Sequence, residues 1–412
     1  MKWWINQKLY VKIFICIVIG IILGFALGPN VTVIKPIGDV FIRLLKMLIV
    51  PLTFFTLISG INKMDDLKSL RSVGGKTILY YCLTSLFAGT VGVIVALILK
   101  PGKEVIGLLD QGAEVTVAEY NFIDNMVQWI PTNPIEAMAN ANMLQVIVFS
   151  IIVGIALLKL GDKTKLIVSF IDKGADVMIE ITDFVMKLAP YGILALIANM
   201  VGTLGSKMLA EVGRFILTDI VGIICVLVFV YPLILKFVGK VNPLRFYRNI
   251  SPAMLVAAST TSSAATLPIS MQVAGKNNGV PEKIYGFTLP LGATVNMDGM
   301  AVAIGCISVF SANLYGVPIT GGLIFQFMFL GLVLSIGAAG VKGAGIVMST
   351  VLLQTLNMPL TLVPILAAIW PIIDIGHTTT NVTGDLTGTT IIASNTNSID
   401  MDVFNSTSSQ NS

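Results

Sequence analysis

Residues 291–300 read Leu-Gly-Ala-Thr-Val-Asn-Met-Asp-Gly-Met, which sets an amide, Asn296, and a carboxylate, Asp298, inside an apolar run. Such oxygens, joined by carbonyls freed where a helix breaks, make a cage suited to a hard cation. Residues 374–385 read Asp-Ile-Gly-His-Thr-Thr-Thr-Asn-Val-Thr-Gly-Asp. Asp374, Thr378, Asn381 and Asp385 are spaced 4, 3 and 4, which lines them along one helix face, with His377 beside them. Two aspartates and an asparagine are expensive at membrane depth, so this stripe must face a bundle interior or a water path. Two weaker signals accompany these. Tyr81, Thr84 and Ser85 share a face, although hydroxyls of this kind often bond back to their own helix. Around Ser262 and Ser263 a run of hydroxyls and backbone donors could hold a carboxylate.

The chain that positions these residues has 412 residues, of which 55% are hydrophobic and 12% charged. A soluble domain carries roughly twice that charged share. Those proportions exclude an ordinary cytosolic enzyme and a disordered chain, and several apolar stretches are long enough to span a bilayer. The net charge is +4, without a dense Lys/Arg block, so no nucleic-acid partner is expected. His377 is the one histidine, which excludes a multi-histidine metal site. Cys16, Cys82, Cys225 and Cys306 lie far apart in apolar runs and read as packed free thiols. No catalytic residue is expected. A Ser263/His377/Asp374 enzyme is imaginable, but it places its acid and its base on one helix three residues apart.

Spans are expected at about 10–28, 37–60, 76–99, 120–160, 176–200, 214–238, 284–313 and 360–395. The first resembles a signal peptide without a cleavage site and is read as a retained helix. Lys2, Lys8, Lys12, Lys63, Lys68, Arg71, Lys76, Lys159, Lys163, Lys165, Lys236, Lys240, Arg245 and Arg248 all fall in alternate connections. The N-terminus is therefore expected on the cytoplasmic side. Residues 249–275 and 321–358 are hydrophobic but broken at their middles by Ser/Thr and by Gly/Ala, which suggests two re-entrant hairpins. Paired broken segments point to a transporter's binding site.

These motifs carry a resemblance. Arg43 to Pro51, Pro131 to Ala137, Leu144 to Phe149, Ala189 to Gly192, Ser262-Ser263 with Thr266 to Pro268, Pro290 to Thr294, Asn296 to Gly299, Gly343 to Gly345 and Asn381 to Asp385 resemble the dicarboxylate/amino acid:cation symporters, the glutamate-transporter homologues. The resemblance covers nearly the whole chain. It implies an all-α polytopic membrane protein with eight transmembrane helices, two re-entrant helical hairpins and inverted repeats. It also implies a homotrimer in the cell membrane that works as an elevator.

By the resemblance, residues 1–75 hold scaffold helices 1–2, and 76–118 hold transport-domain helix 3 and a loop. Residues 119–238 hold scaffold helices 4–5 and transport-domain helix 6. The first hairpin is 239–283, helix 7 is 284–315, the second hairpin is 316–359, helix 8 is 360–395, and 396–412 form a mobile tail.

Sodium is the implied coupling ion. One site would use Asp385 with carbonyls of Gly292, Asn296 and Asn381. A second would use Tyr81, Thr84, Ser85, Asn296 and Asp298, and a third the carbonyls of Thr294, Ser335, Ile336 and Ala338. The substrate's carboxylate would sit at Ser262, Ser263 and Asn381, and its amine at Asp374 with Thr378 nearby. Met300, Val341, Gly345 and His377 complete the implied pocket.

The chain departs from acidic-substrate relatives where it matters for selectivity. Those commonly carry an arginine where His377 stands and a threonine where Met300 stands. Some carry an arginine in the first hairpin instead, where this chain has Thr261. No arginine occurs in 249–412. A bidentate guanidinium suits a side-chain carboxylate, so a neutral amino acid is the expected substrate. Protonated His377 standing in for the arginine, with an acidic amino acid or a dicarboxylate as substrate, is the alternative. A channel conducting anions is the alternative from another class. Lys342 stands where proline is more usual in the second hairpin.

Overall fold

A computed structural model describes residues 4, 7, 9–62, 74–106, 127–338, 340 and 343–406. Among these residues every regular element is helical. The first apolar run forms α1 (Leu9–Leu27), and a 3-10 stretch over Gly28–Ile34 leads into α2 (Lys35–Asn62). Helix α3 covers Gly74–Leu99. A short α4 (Pro134–Ala139), capped by the Asn133 side chain, precedes α5 (Met143–Leu160). Among the described residues six stretches are long and apolar enough to cross a membrane, so the chain is a multi-pass membrane protein. Val341 and Lys342, and the loop basic residues Lys63, Lys68 and Arg71, lie outside the described residues.

Two boundaries differ from expectation. Helix α6 (Lys165–Lys187) occupies the supposed gap after residue 160. It carries Asp172, Lys173, Asp176, Glu180 and Asp183, and these charges mask an apolar face on which Ile171, Ala175, Val185 and Met186 are buried. The span expected at 176–200 therefore divides at Leu188. Helix α7 then runs from Ala189 to Cys225 with one interruption, Gly205 at φ 74° and ψ −170°, a conformation open to glycine alone. A π-helical turn over Val226–Val230 continues into α8 (Tyr231–Phe237).

Both broken hydrophobic segments fold as helix–turn–helix pairs. In the first, α9 (Pro243–Thr260) starts on an Asn242 cap and ends at Thr261, which takes a left-handed turn at φ 48°. Ser262 then caps α10 (Ser263–Lys276) by accepting from the Ala265 amide at 3.2 Å. The second pair is α13 (Gly321–Gly337) and α14 (Ala344–Thr355), the latter entered through Gly343 at φ 77°. The polar segment 291–300 lies between α11 (Glu282–Val295) and α12 (Asp298–Leu314), with Asn296 and Met297 outside both helices. The long α15 (Val363–Asn395) carries the acidic stripe.

Helix α15 is the hub of the second half. It packs against α7, both arms of the first hairpin, α11, α12 and α14, while α3 lies along α12 and α13. Helix α1 packs on α7, and α2 packs on α5, α6 and α7. Nearly every residue of α12 is buried, polar ones included, so the core surrounds the helix break. Part of the segment expected as a tail is helical. Residues 401–405 form α16 (Met401–Asn405), capped by Asp400, and Phe404 is fully buried. Its carbonyl accepts from Asn249 Nδ2 at 3.0 Å, which ties the segment to α9. One aromatic in a Ser/Asn-rich stretch was too little pattern to reveal this docking.

Candidate functional site

The break between α11 and α12 gathers the polar residues of three helices. Ser85 on α3 donates to Asp298 Oδ1 at 2.8 Å, and Tyr231 on α8 donates to Oδ2 at 2.7 Å. Thr84 donates to Asn296 Oδ1 at 3.2 Å, and Asn296 Nδ2 donates to Asp385 Oδ1 at 2.9 Å. The Tyr81 hydroxyl donates to the Thr288 carbonyl at 2.8 Å. A methyl group placed on Gly292 would stand 2.5 Å from Asp385 Oδ1 and 2.7 Å from the Tyr81 hydroxyl. Gly384 likewise faces Asp298, Asn296 and Tyr231. Tyr81, Thr84, Ser85, Gly292, Asn296, Asp298 and Asp385 thus lie in one buried cluster.

The cluster's chemistry follows from its donors. Two carboxylates, an amide, four hydroxyls and the carbonyl end of α11 converge at buried positions. Carbonyl ends of interrupted helices are the usual cation ligands of membrane transporters. Among the described residues no three His, Cys, Asp or Glu gather as a metal site, so the set is one of hard neutral and anionic oxygens rather than a zinc site. Asn381 sits one turn before Asp385 and accepts from the Gly299 amide at 2.7 Å, while its Nδ2 donates to Met297 Sδ at 3.2 Å. That amide belongs to the first turn of α12, whose N-terminus favours negative charge.

The hairpin tips meet beside this cluster. The Ala264 amide and the Ser262 hydroxyl donate to the Gly340 carbonyl at 3.1 and 3.0 Å. Ser263 is buried and would lie 3.3 Å from a methyl on Gly340. Thr294, Ile336 and Ala338 line a cavity of about 70 Å³ between the tips and helices α2 and α6. Ser335, one residue earlier, returns its hydroxyl to the Leu332 carbonyl at 2.8 Å. Met300 and Thr378 are buried, and Asp374 is half-buried one turn before Thr378. Gly345 is pressed against the Trp370 indole, where any side chain would overlap the ring.

Four contributors escaped the sequence reading. Asp219 on α7 is fully buried, and His377 Nε2 lies 3.0 and 2.9 Å from its two oxygens. A carboxylate accepts, so Nε2 is the donor. His377 therefore turns away from the acidic stripe toward α7. A solitary aspartate inside the apolar span 214–238 was a readable signal, because a charge at that depth demands a partner. Tyr231 is the second, visible only as one more aromatic. The Thr288–Thr389 hydroxyl pair at 2.7 Å and Trp370 carried no sequence signal that distinguished them from packing.

The sequence profile described as the sodium:dicarboxylate symporter family matches residues 9–395. The chain belongs to that family. It is therefore a transporter by descent rather than an enzyme. Among its relatives is a proton/sodium-glutamate symport protein of Geobacillus stearothermophilus, 30% identical over 368 residues and covering 86% of each chain. A C4-dicarboxylate transport protein of Pseudomonas fluorescens (strain Pf0-1) is 31% identical over 411 residues, 97% of this chain and 92% of the other. The neutral amino acid transporter B(0) of Mus musculus is 30% identical over 419 residues, 90% of this chain and 76% of the other. The family thus includes relatives named for acidic, dicarboxylate and neutral substrates.

Proposed function

We propose that the chain is a sodium-coupled symporter that imports a neutral amino acid by an elevator motion. The observation that carries the substrate reading is Asp219. An acidic side chain needs a net positive charge, and the candidate pocket residues include no lysine or arginine. Among the described pocket residues His377 is the candidate cation, and its Nε2 is already engaged by a buried carboxylate. A proton gained by His377 would leave the pair neutral, so protonation gives no substitute for an arginine. Asp374 argues for an amine on the substrate, because its carboxylate attracts an ammonium and repels a second carboxylate.

Sodium is the ion the oxygen set fits best. Asp385 with Asn296, Gly292 and Asn381 would hold one ion, and Asp298 with Tyr81, Thr84, Ser85 and Asn296 a second. Carbonyls of Thr294, Ser335, Ile336 and Ala338 would hold a third. The substrate carboxylate would lie against Ser262, Ser263 and Asn381, its amine on Asp374 and Thr378, with Met300, Val341, Gly345 and His377 around the side chain. Coupling requires that sodium favour the state in which the second hairpin closes; Asn381 and Asn296, each shared between the proposed sites, provide that link.

We further propose a homotrimer in the plasma or inner membrane with its N-terminus in the cytoplasm. Scaffold helices would come from 1–75 and part of 119–238, and the moving domain from 76–118, the rest of 119–238 and 239–395. The names of the glutamate and C4-dicarboxylate relatives support the competing reading, an acidic substrate. Uptake of a labelled amino acid panel into proteoliposomes, with and without an inward sodium gradient, separates the two. Sodium-driven uptake of alanine, serine or threonine is expected. Stronger uptake of aspartate, glutamate or succinate near pH 7 would overturn the neutral reading, and permeation without exchange or sodium dependence would mark a channel.

A further inference from the structure

A crevice beside α8 and the start of α9 lies outside the proposed transport machinery, and its shape follows from one proline. In the π-helical turn over Val226–Val230 each amide reaches back five residues, as the Tyr231 amide does to the Val226 carbonyl. The next such bond would run from residue 232 to the Leu227 carbonyl, and Pro232 has no N–H to give. The Tyr247 hydroxyl on α9 donates to that carbonyl instead. This tie fixes α9 beside the π-turn, next to a crevice of about 800 Å³ whose walls include Leu227, Pro232, Val241, Leu244 and Met254.

Two chemistries meet at this crevice. Its surroundings are apolar and open outward, with Val228, Leu233, Phe237 and Leu244 each more than half exposed. Its polar groups are already engaged, Tyr247 on Leu227 and the Asn242 side chain on the Arg245 amide at 3.2 Å. A peptide backbone would find few partners for its amides and carbonyls there, whereas a hydrocarbon chain needs none. Lys236 also lines the crevice, and Lys240, Arg245 and Arg248 follow it in the chain. Arg248 stands one turn beyond Leu244 on the same face of α9. No aspartate or glutamate occurs between Asp219 and Glu282. Helix α16 brings Asp400 and Asp402 to α9, but Asp400 is engaged in capping the Asp402 and Val403 amides. Arg245 Nε donates to the Phe404 carbonyl at 3.4 Å, and Lys236 Nζ lies 5.7 Å from the Phe237 ring centroid. Among the described residues none of the four cations is paired with an acid. Uncompensated positive charge at an apolar crevice calls for an anion attached to hydrocarbon, and basic pockets between membrane helices suit lipid head groups.

We infer that this crevice binds one anionic phospholipid, with an acyl chain against Leu227, Pro232 and Met254 and the phosphate on Lys236 and Arg248. The basic residues at this end assign it to the cytoplasmic leaflet, where anionic lipids are plentiful. The site is separate from the proposed substrate and cation residues, so it stands whichever amino acid is carried.

The test uses the full chain in neutral-detergent micelles and phosphatidylglycerol with a photoreactive group on one acyl chain. After illumination, mass spectrometry of the digested protein locates the label. Label is expected within residues 227–232 and 241–254, and excess unlabelled phosphatidylglycerol is expected to displace it where phosphatidylcholine does not. Lys236→Gln with Arg248→Gln is expected to raise the half-displacing phosphatidylglycerol concentration roughly 10- to 30-fold, the worth of two basic contacts. Lys159→Gln with Lys163→Gln removes the same charge elsewhere and is expected to leave it unchanged. Melting curves report whether the variants fold, and the wild-type competition needs no variant. Label spread evenly over the lipid-facing helices, or equal displacement by phosphatidylcholine, would overturn the proposal. So would displacement by inorganic phosphate alone, which marks a free-anion site, or label confined to dissociated monomers, which marks a contact between copies. An equal shift in both double variants would reduce the effect to general charge attraction and overturn it as well.

Discussion

Substituting alanine for Gly292 sets two effects of known size against each other. Inside a helix alanine is better than glycine by about 0.5–1 kcal/mol, so propensity alone predicts a slightly more stable α11. The surroundings reverse the sign. The new methyl would stand 2.5 Å from Asp385 Oδ1, where real Cβ contacts are essentially never under 3.0 Å, so Asp385 must retreat by the difference of 0.5 Å or more. Its bond from Asn296 Nδ2 then stretches from 2.9 Å to the edge of hydrogen-bonding range. A bond to a charged group contributes about 1.5–3 kcal/mol. Taken from the bound state of an Asp385 cation site, that is roughly a 10- to 100-fold rise in the sodium concentration for half-maximal uptake. Gly286→Ala in the same helix is the control, since nothing lies within 4 Å of its added methyl. The assay is initial-rate uptake against sodium concentration in proteoliposomes, with melting curves to confirm folding. A folded Gly292→Ala protein whose sodium dependence matches Gly286→Ala would refute the assignment of Asp385 to a cation.

Four further outcomes follow from named contacts. Tyr231→Phe removes one of the two hydroxyls on Asp298, at a cost of about 1.5–3 kcal/mol; melting in sodium-free buffer is expected to drop, and added sodium to restore more of it than in wild type. His377→Arg with Met300→Thr is expected not to confer aspartate uptake, because the guanidinium would pair with Asp219; adding Asp219→Asn is expected to release it, and competition by aspartate in the three variants reads the difference. Gly345→Ala drives a methyl into the Trp370 ring, and overpacking of this kind costs about 1–3 kcal/mol; because Gly345 lines the proposed side-chain pocket, uptake is expected to fall most for the larger substrates of the panel. Phe404→Ala empties a fully buried site under α9 at about 3–5 kcal/mol, which is expected to lower the melting temperature while leaving substrate preference unchanged.

The polar motifs were legible because membrane depth makes polarity conspicuous. Asn296, Asp298, Asp374, Asn381 and Asp385 stand out from apolar neighbours, and their helical spacing shows which of them share a face. The two broken hydrophobic segments were legible for the same reason, since Ser/Thr and glycine runs interrupt otherwise uniform stretches. Helix α6 was missed because its charges offset its buried face in any local average. The docked α16 was missed because one phenylalanine makes no pattern.

Sequence alone thus determined the membrane class, the paired hairpins, the hard-oxygen donors and the absence of arginine beyond residue 248, all of which depend on residue type and short spacing. Tertiary structure decided which distant groups meet. Ser85 reaches Asp298 across 213 positions, Asn296 reaches Asp385 across 89, and Asp219 reaches His377 across 158. Helix periodicity says which way a side chain leaves its own helix, but not which helix waits there. That is settled by packing among α3, α7, α12 and α15, and it ties His377 to the buried carboxylate of Asp219.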